Sequence, residues 1–224
     1  MPASIASGPD SSIRKQRIVI VALMIAFSVM SYFDRTIMSI AGPRIIKEFN
    51  LSITEMGSVY SAFVLSYAIL MIPAGWVADK LGPRLTLLLM GSSAALFTAL
   101  TALGAKPGLG SVVGIVPALW IIRLGLGVGT APLYPACAKM SANWIPIGQQ
   151  GRVQGMIIAG SSMGGAVSPI LFTWLMSLYQ WRVSFVIAAI ATAILALLWF
   201  WSARDYPVGI NPAEQSVSRR QPRP

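Results

Sequence analysis

The sequence predicts an all-α integral membrane protein, a bundle of six transmembrane helices, and three observations carry that prediction. Of 224 residues, 11% are charged and 55% hydrophobic, whereas a water-soluble domain carries about 25% charged residues. So little charge cannot solvate a globule of this size, while a surface facing lipid needs none. The apolar residues are gathered into six long runs, and the mean hydropathy is +0.70. The basic residues between the runs alternate between rich and poor loops.

Taken in order, the runs are 18–41, 55–78, 83–104, 112–137, 153–178 and 182–203. Each has about twenty residues or more, enough to cross a hydrocarbon core of about 30 Å as a helix. All six must be helical, because lipid offers no partner to free backbone groups. The first follows Arg14, Lys15 and Arg17. It is too long for the core of a signal peptide, and no small-residue cleavage site precedes a polar domain. Between the second and third, the stretch Gly75–Arg84 reverses the chain within about five residues. There Gly82 permits the turn and Pro83 starts the next helix. Residues 1–17 are expected to form a polar N-terminal tail. Residues 204–224, with Pro207, Pro212, Pro222, Pro224 and Arg219-Arg220, are expected to form a largely disordered one.

With the N-terminus in the cytoplasm, eleven Lys and Arg lie on the cytoplasmic side and four on the other; Arg35 and Arg123 fall inside runs. This positive-inside pattern predicts both termini in the cytoplasm and a multi-pass protein of the cell (inner) membrane. The net charge of +10 is then a topology signal rather than a nucleic-acid footprint. The chain has no histidine and one cysteine, Cys137. That excludes an imidazole base, a histidine triad, an internal disulfide and a multi-thiolate metal site, and no cofactor is expected. Gly160-Ser161-Ser162-Met163-Gly164 fits a nucleophile-elbow pattern, but it lies inside an apolar run. The same residues read as a small-xxx-small helix-packing motif.

An ionisable group at membrane depth is costly and marks a functional site by default. Three qualify: Asp34 and Arg35 in the first run, Arg123 in the fourth. Arg123 lies about 16 Å into its run, close to the midplane. Helical spacing puts Ser28, Ser31, Tyr32, Arg35 and Ser39 on one polar stripe and Arg123, Gly127, Thr130 and Tyr134 on another. Tyr60, Tyr67 and Met71 share a face of the second run. These three stripes are expected to line one aqueous cavity. Asp34 points about 100° away from its neighbour Arg35. One reading pairs Asp34 with Arg123 as a buried ion pair and leaves Arg35 without a partner. The other takes the surplus positive charge as an anion site, because a guanidinium grips carboxylate or phosphate with two hydrogen bonds. The single carboxylate is then the natural proton carrier.

Gly75-Trp76-Val77-Ala78-Asp79-Lys80-Leu81-Gly82-Pro83-Arg84 resembles the signature G-x-x-x-D-[RK]-x-G-[RK]-[RK] of the major facilitator superfamily, with Pro83 replacing one basic residue. Tyr32-Phe33-Asp34-Arg35 with Ala41-Gly42-Pro43 resembles, more narrowly, the anion:cation symporter branch. So do Arg123, Gly127, Ala131-Pro132 and Tyr134-Pro135 in the fourth run. Trp181-Arg182 with Phe185, and Arg204-Asp205-Tyr206-Pro207, resemble the entrance to the family's sixth helix and the start of its central loop. That branch includes bacterial hexonate and hexuronate symporters and the vesicular glutamate and sialic acid carriers. The resemblance covers about 18–214.

The resemblance implies the N-terminal half of a twelve-helix fold, with substrate held between two halves. A missing C-terminal half or another chain would supply the partner, and truncation is the favoured expectation. It implies no enzyme, but secondary active transport of a small organic carboxylate by proton symport. Arg35 would hold the substrate carboxylate, Tyr32 and Tyr67 would contact it, Arg123 would organise the coupling network at the same site, and Asp34 would carry the proton. Gly75, Asp79, Lys80, Gly82 and Arg84 would form the gating motif. Thr130 stands where many carboxylate-sugar symporters place glutamate, which points away from two-proton coupling, and Met71 stands where many place glutamine, which points to a less polar anion. The alternatives are half of an organic-phosphate antiporter, or a structural or regulatory membrane subunit.

Overall fold

Eight helical segments make up the computed structural model, which describes residues 9–103 and 109–207. They are α1 (Pro9–Phe49), α2 (Ile53–Leu81), α3 (Pro83–Leu103), α4 (Leu109–Val113), α5 (Ile115–Thr130), α6 (Leu133–Trp144), α7 (Ile147–Leu178) and α8 (Trp181–Ser202). Lys106, the first eight residues and the tail beyond Pro207, for which disorder is expected, lie outside the described residues. Six helices are long and apolar enough to cross a membrane, with α5 and α6 together forming the fourth. That fourth span breaks at Ala131-Pro132. Pro132 and Pro135 lack the N–H groups that would continue the ladder to residues 128 and 131.

The helices run past the apolar stretches. α1 continues through Pro43 to Phe49, and its polar end finds partners on the α7–α8 junction. Arg44 Nη1 donates to the Met176 carbonyl at 2.8 Å, covering an orphan carbonyl at the end of α7. Glu48 accepts from Trp181 Nε1 at 2.6 Å and pairs with Arg182 at 2.7 Å. Ser52 and Glu55 close a capping box at the start of α2. α2 stays helical to Leu81, so the reversal expected over five residues takes place at Gly82 alone. Its φ of 82° and ψ of 154° lie in a region open essentially to glycine.

Numbered as spans, the first packs chiefly on the fifth (α1 on α7), the second on the fourth (α2 on α5) and the third on the sixth (α3 on α8). Exchanging the first three spans for the last three carries this pairing onto itself, the pattern of a structural repeat. Two apolar clusters fill opposite ends of the bundle. One gathers Met24, Phe27, Leu195 and Trp199; the other gathers Phe33, Ile37, Phe172 and Phe185. Buried Ser28, Asp34, Arg123 and Thr192 lie in the layer between them.

Close helix approach depends on glycine at two seams. A Cβ on Gly127 would collide with Ser66 Oγ and the Phe63 carbonyl of α2. One on Gly164 would collide with the Val29 carbonyl of α1. Gly160 and Gly164 thus serve helix packing. Gly164→Val should destabilise the protein by about 1–3 kcal/mol through overpacking. The measurement is the Tm in detergent against Gly155→Val, whose position is open. Equal Tm for the two variants would remove this role from Gly164.

Candidate functional site

A cavity of about 250 Å³ opens between α1, α2 and α5. α1 lines it with Tyr32, Arg35, Thr36 and Ser39, α2 with Tyr60 and Phe63, and α5 with Arg123. The spacing 32, 35, 36, 39 is one face of a helix, which is why one stretch of α1 delivers four polar groups to one wall.

Arg35 is half-buried and held by aromatic rings. Its guanidinium carbon lies 5.5 Å from the ring centre of Tyr32, 5.3 Å from Phe63 and 5.8 Å from Tyr67. Phe63 and Tyr67 stack on each other at 5.8 Å. Ring faces attract a cation and orient its plane, yet they accept no strong hydrogen bond. Neither of the two ion pairs among the described residues uses Arg35. Its N–H fork stays available to a planar anion.

Arg123 forms part of the same wall and is 2% exposed. Its Nε and Nη2 have no hydrogen-bond partner. A buried guanidinium with bare N–H groups is costly unless an acceptor reaches it. Asp34, 1% exposed, lies off this wall. Its Oδ2 accepts from Thr192 Oγ1 of α8 at 2.9 Å, and its Oδ1 has no partner. Asp34 and Arg123 form no ion pair among the described residues. Of the two readings of the three charges, direct pairing is absent, and both arginines line the cavity.

The polar stripes were expected to converge whole, and they converge in part. Tyr32, Arg35 and Ser39 reach the cavity. Ser28 turns instead to α7, donating to the Ile157 carbonyl at 2.7 Å. From the α5–α6 stripe Arg123 alone lines the cavity. Gly127 is consumed by helix contact, Thr130 bonds back to the Leu126 carbonyl at 2.7 Å, and Tyr134 packs against the apolar cluster around Trp199. Tyr67 touches Arg35 from behind the wall, and Met71 is exposed on α2. Tyr60 lines the cavity, the one member of the expected α2 stripe to do so, and Thr36, Met38, Phe63 and Val64 are lining residues outside the expected stripes. Phe63 sits three residues after Tyr60 and four before Tyr67, on the face those two tyrosines already mark.

Gly75, Asp79, Lys80, Gly82 and Arg84 gather at one end of the bundle. Lys139 Nζ of α6 pairs with Asp79 Oδ1 at 3.0 Å and donates to the Asp79 carbonyl at 2.8 Å. Lys80 lies 3.7 Å from the Trp76 ring centre. Gly75 faces Pro135. The Arg84 amide donates to Asp205 Oδ1 and its Nη2 to the Phe200 carbonyl, both at 2.9 Å. Trp199 Nε1 donates to the Arg84 carbonyl at 2.9 Å, and Trp144 Nε1 to the Arg204 carbonyl at 2.8 Å. One half of the motif thus ties α2 to α6, the other α3 to the chain leaving α8.

Residues 23–224 match the family described as the Major Facilitator Superfamily. A hexuronate transporter of Bacillus subtilis (strain 168) is 34% identical over 86% of this chain and 44% of its own length. A probable L-galactonate transporter of Escherichia coli (strain K12) is 33% identical over 87% and 41%. The probable sulfoacetate transporter SauU of Cupriavidus necator is 30% identical over 86% and 43%. The chain spans about half the length of the curated relatives it matches. Among solved structures, a bacterial homologue of the human lysosomal transporter Spinster, inward-facing and unoccupied, superposes with a TM-score of 0.71 at 20% identity, over 88% of this chain and 45% of that one. The proton:xylose symporter XylE bound to 6-bromo-6-deoxy-D-glucose gives 0.68 at 17%, over 92% and 47%. At these identities the likeness to solved structures establishes the fold.

Proposed function

The chain belongs to the Major Facilitator Superfamily, and from that premise we propose that it forms one six-helix half of a secondary transporter for a small organic carboxylate, driven by proton symport through alternating access. The observation that carries the reading is the pair of guanidiniums on one cavity wall, Arg35 caged by rings and Arg123 with bare N–H groups. Surplus positive charge with free donors calls for an anion. Relatives named for hexuronate, L-galactonate and sulfoacetate transport support a carboxylate or sulfonate class. Met71, at the position where many carboxylate-sugar symporters carry glutamine, favours an acid with fewer hydroxyls than a sugar acid. Asp34 carries the coupling proton, and the Asp79–Lys139 pair and the Arg84 contacts bias one state of the gate. A second six-helix half completes the path.

The test is counterflow in proteoliposomes holding the two-half protein, with labelled hexuronate, galactonate and sulfoacetate. Saturable exchange of at least one is expected. Exchange of organic phosphates alone, indifferent to a pH gradient, would replace this reading with a phosphate antiporter. That alternative is favoured by one observation: Asp34 lies off the cavity wall.

Orientation is part of the same proposal. Arg14, Lys15, Arg17, Lys80, Arg84, Lys139, Arg152 and Arg204 stand at one end of the bundle, which we place in the cytoplasm of the cell (inner) membrane. A topology reporter fused after Lys106 should read external, and one fused after Arg204 internal. The opposite result at either point inverts the assignment.

A further inference from the structure

A second opening lies apart from the cavity, where α1 and α7 begin. A groove of about 820 Å³ runs between them. Arg14 and Arg17 of α1 and Arg152 of α7 line it, and Val21, Ile25 and Met156 line it further along the same helices. No acidic residue is among the lining, and none of the three arginines enters an ion pair among the described residues. Arg17 Nε is buried without a hydrogen-bond partner. No side chain caps the N-terminus of α7, so its first-turn N–H groups add positive potential at the same end. Three guanidiniums in one groove repel each other, and the bare Nε calls for an acceptor.

The length of the groove decides which anion. Arg14 and Ile25 are eleven residues apart on α1, about 16 Å along the axis. The basic end therefore gives way to an apolar stretch within the reach of an acyl chain. A free phosphate would match the basic residues and leave the apolar stretch without a partner. A phospholipid covers both, and basic pockets between transmembrane helices recognise anionic headgroups in this way.

We propose that the α1–α7 groove binds the phosphate headgroup of an anionic phospholipid on Arg14, Arg17 and Arg152, with an acyl chain along Val21, Ile25 and Met156. This stands independently of the transport reading. The test is native mass spectrometry of the full-length protein in mild detergent, titrated with phosphatidylglycerol or with phosphatidylcholine of the same chains. Retention of phosphatidylglycerol should exceed phosphatidylcholine by at least about fivefold. The combined Arg14→Gln, Arg17→Gln, Arg152→Gln variant should lose that preference, and the corresponding triple lysine variant should keep most of it. If the glutamine triple fails to fold, Arg17→Gln alone should lower the preference by at least about twofold. Millimolar glycerol 3-phosphate should not displace the lipid; displacement would assign the basic end to soluble phosphates and overturn the lipid. Equal retention of the two lipids, or an undiminished preference in the glutamine variants, would also overturn it.

Discussion

Arg35→Lys should weaken binding of the transported anion by about 1.5–3 kcal/mol, the worth of a hydrogen bond to a charged group. That is roughly 10- to 150-fold in Kd. Lysine separates two properties of the site. Its ammonium can still sit among Tyr32, Phe63 and Tyr67, because an aromatic cage accepts either cation. It cannot present two parallel N–H groups to a carboxylate. The loss therefore measures the fork, and Arg35→Ala, which also removes the charge, should abolish uptake. Equilibrium binding to the purified two-half protein gives the Kd, and Tm confirms that the variants are folded. A lysine variant with unchanged Kd would mean that charge alone suffices and the orientation set by the rings is idle.

The second large effect concerns Asp34. Asparagine there should leave substrate binding and exchange in place while removing accumulation driven by a pH gradient. Asp34 is the only buried acidic residue among the described residues, and Thr130, bonded to its own helix, has no carboxyl to carry a proton. When an anion settles on Arg35 and Arg123, it offsets positive charge that otherwise favours the Asp34 carboxylate. Losing that charge to a proton then costs less, so substrate and proton favour each other, with reciprocal coupling of about 1–3 kcal/mol. The amide accepts from Thr192 as the acid does, and it mimics the protonated state. Uptake into proteoliposomes with and without an imposed gradient separates the two functions. Gradient-driven accumulation that persists in Asp34→Asn would place the proton path elsewhere.

Hydropathy locates the six spans because lipid leaves the backbone no alternative to helix. It does not locate their ends. Residues 44–49 and 79–81 are polar enough to read as loops. They are helical because Arg44, Glu48 and Asp79 each meet a partner on another helix, and such partners are invisible one residue at a time. Helical spacing is equally informative about the site up to a limit. It brings Tyr32, Arg35 and Ser39 to one wall, since long or outward-facing groups go where their face points. It fails for Ser28 and Thr130, which are buried where another helix covers their face: Ser28 donates to the Ile157 carbonyl of α7 and Thr130 to its own Leu126 carbonyl. Phe63 escapes a search for polar residues altogether, although its ring is nearest to Arg35 among the three. Asp34 is legible as costly, but its choice of Thr192 over Arg123 depends on how α8 packs, 158 residues away.

The contacts among Arg84, Trp199, Trp144 and Asp205 also have a mechanical meaning. The chain leaving α8 does not hang free: the Asp205 side chain holds the first turn of α3, and Trp144 grips the Arg204 carbonyl. A load applied to the polypeptide beyond Pro207 is therefore borne at the base of α3 and the end of α6 together, before it can peel α8 from the bundle. α3 and α8, packed along their length, act as a strut with a tethered foot. The first point to feel such a load is the start of α3, one residue from the Gly82 turn that joins it to α2.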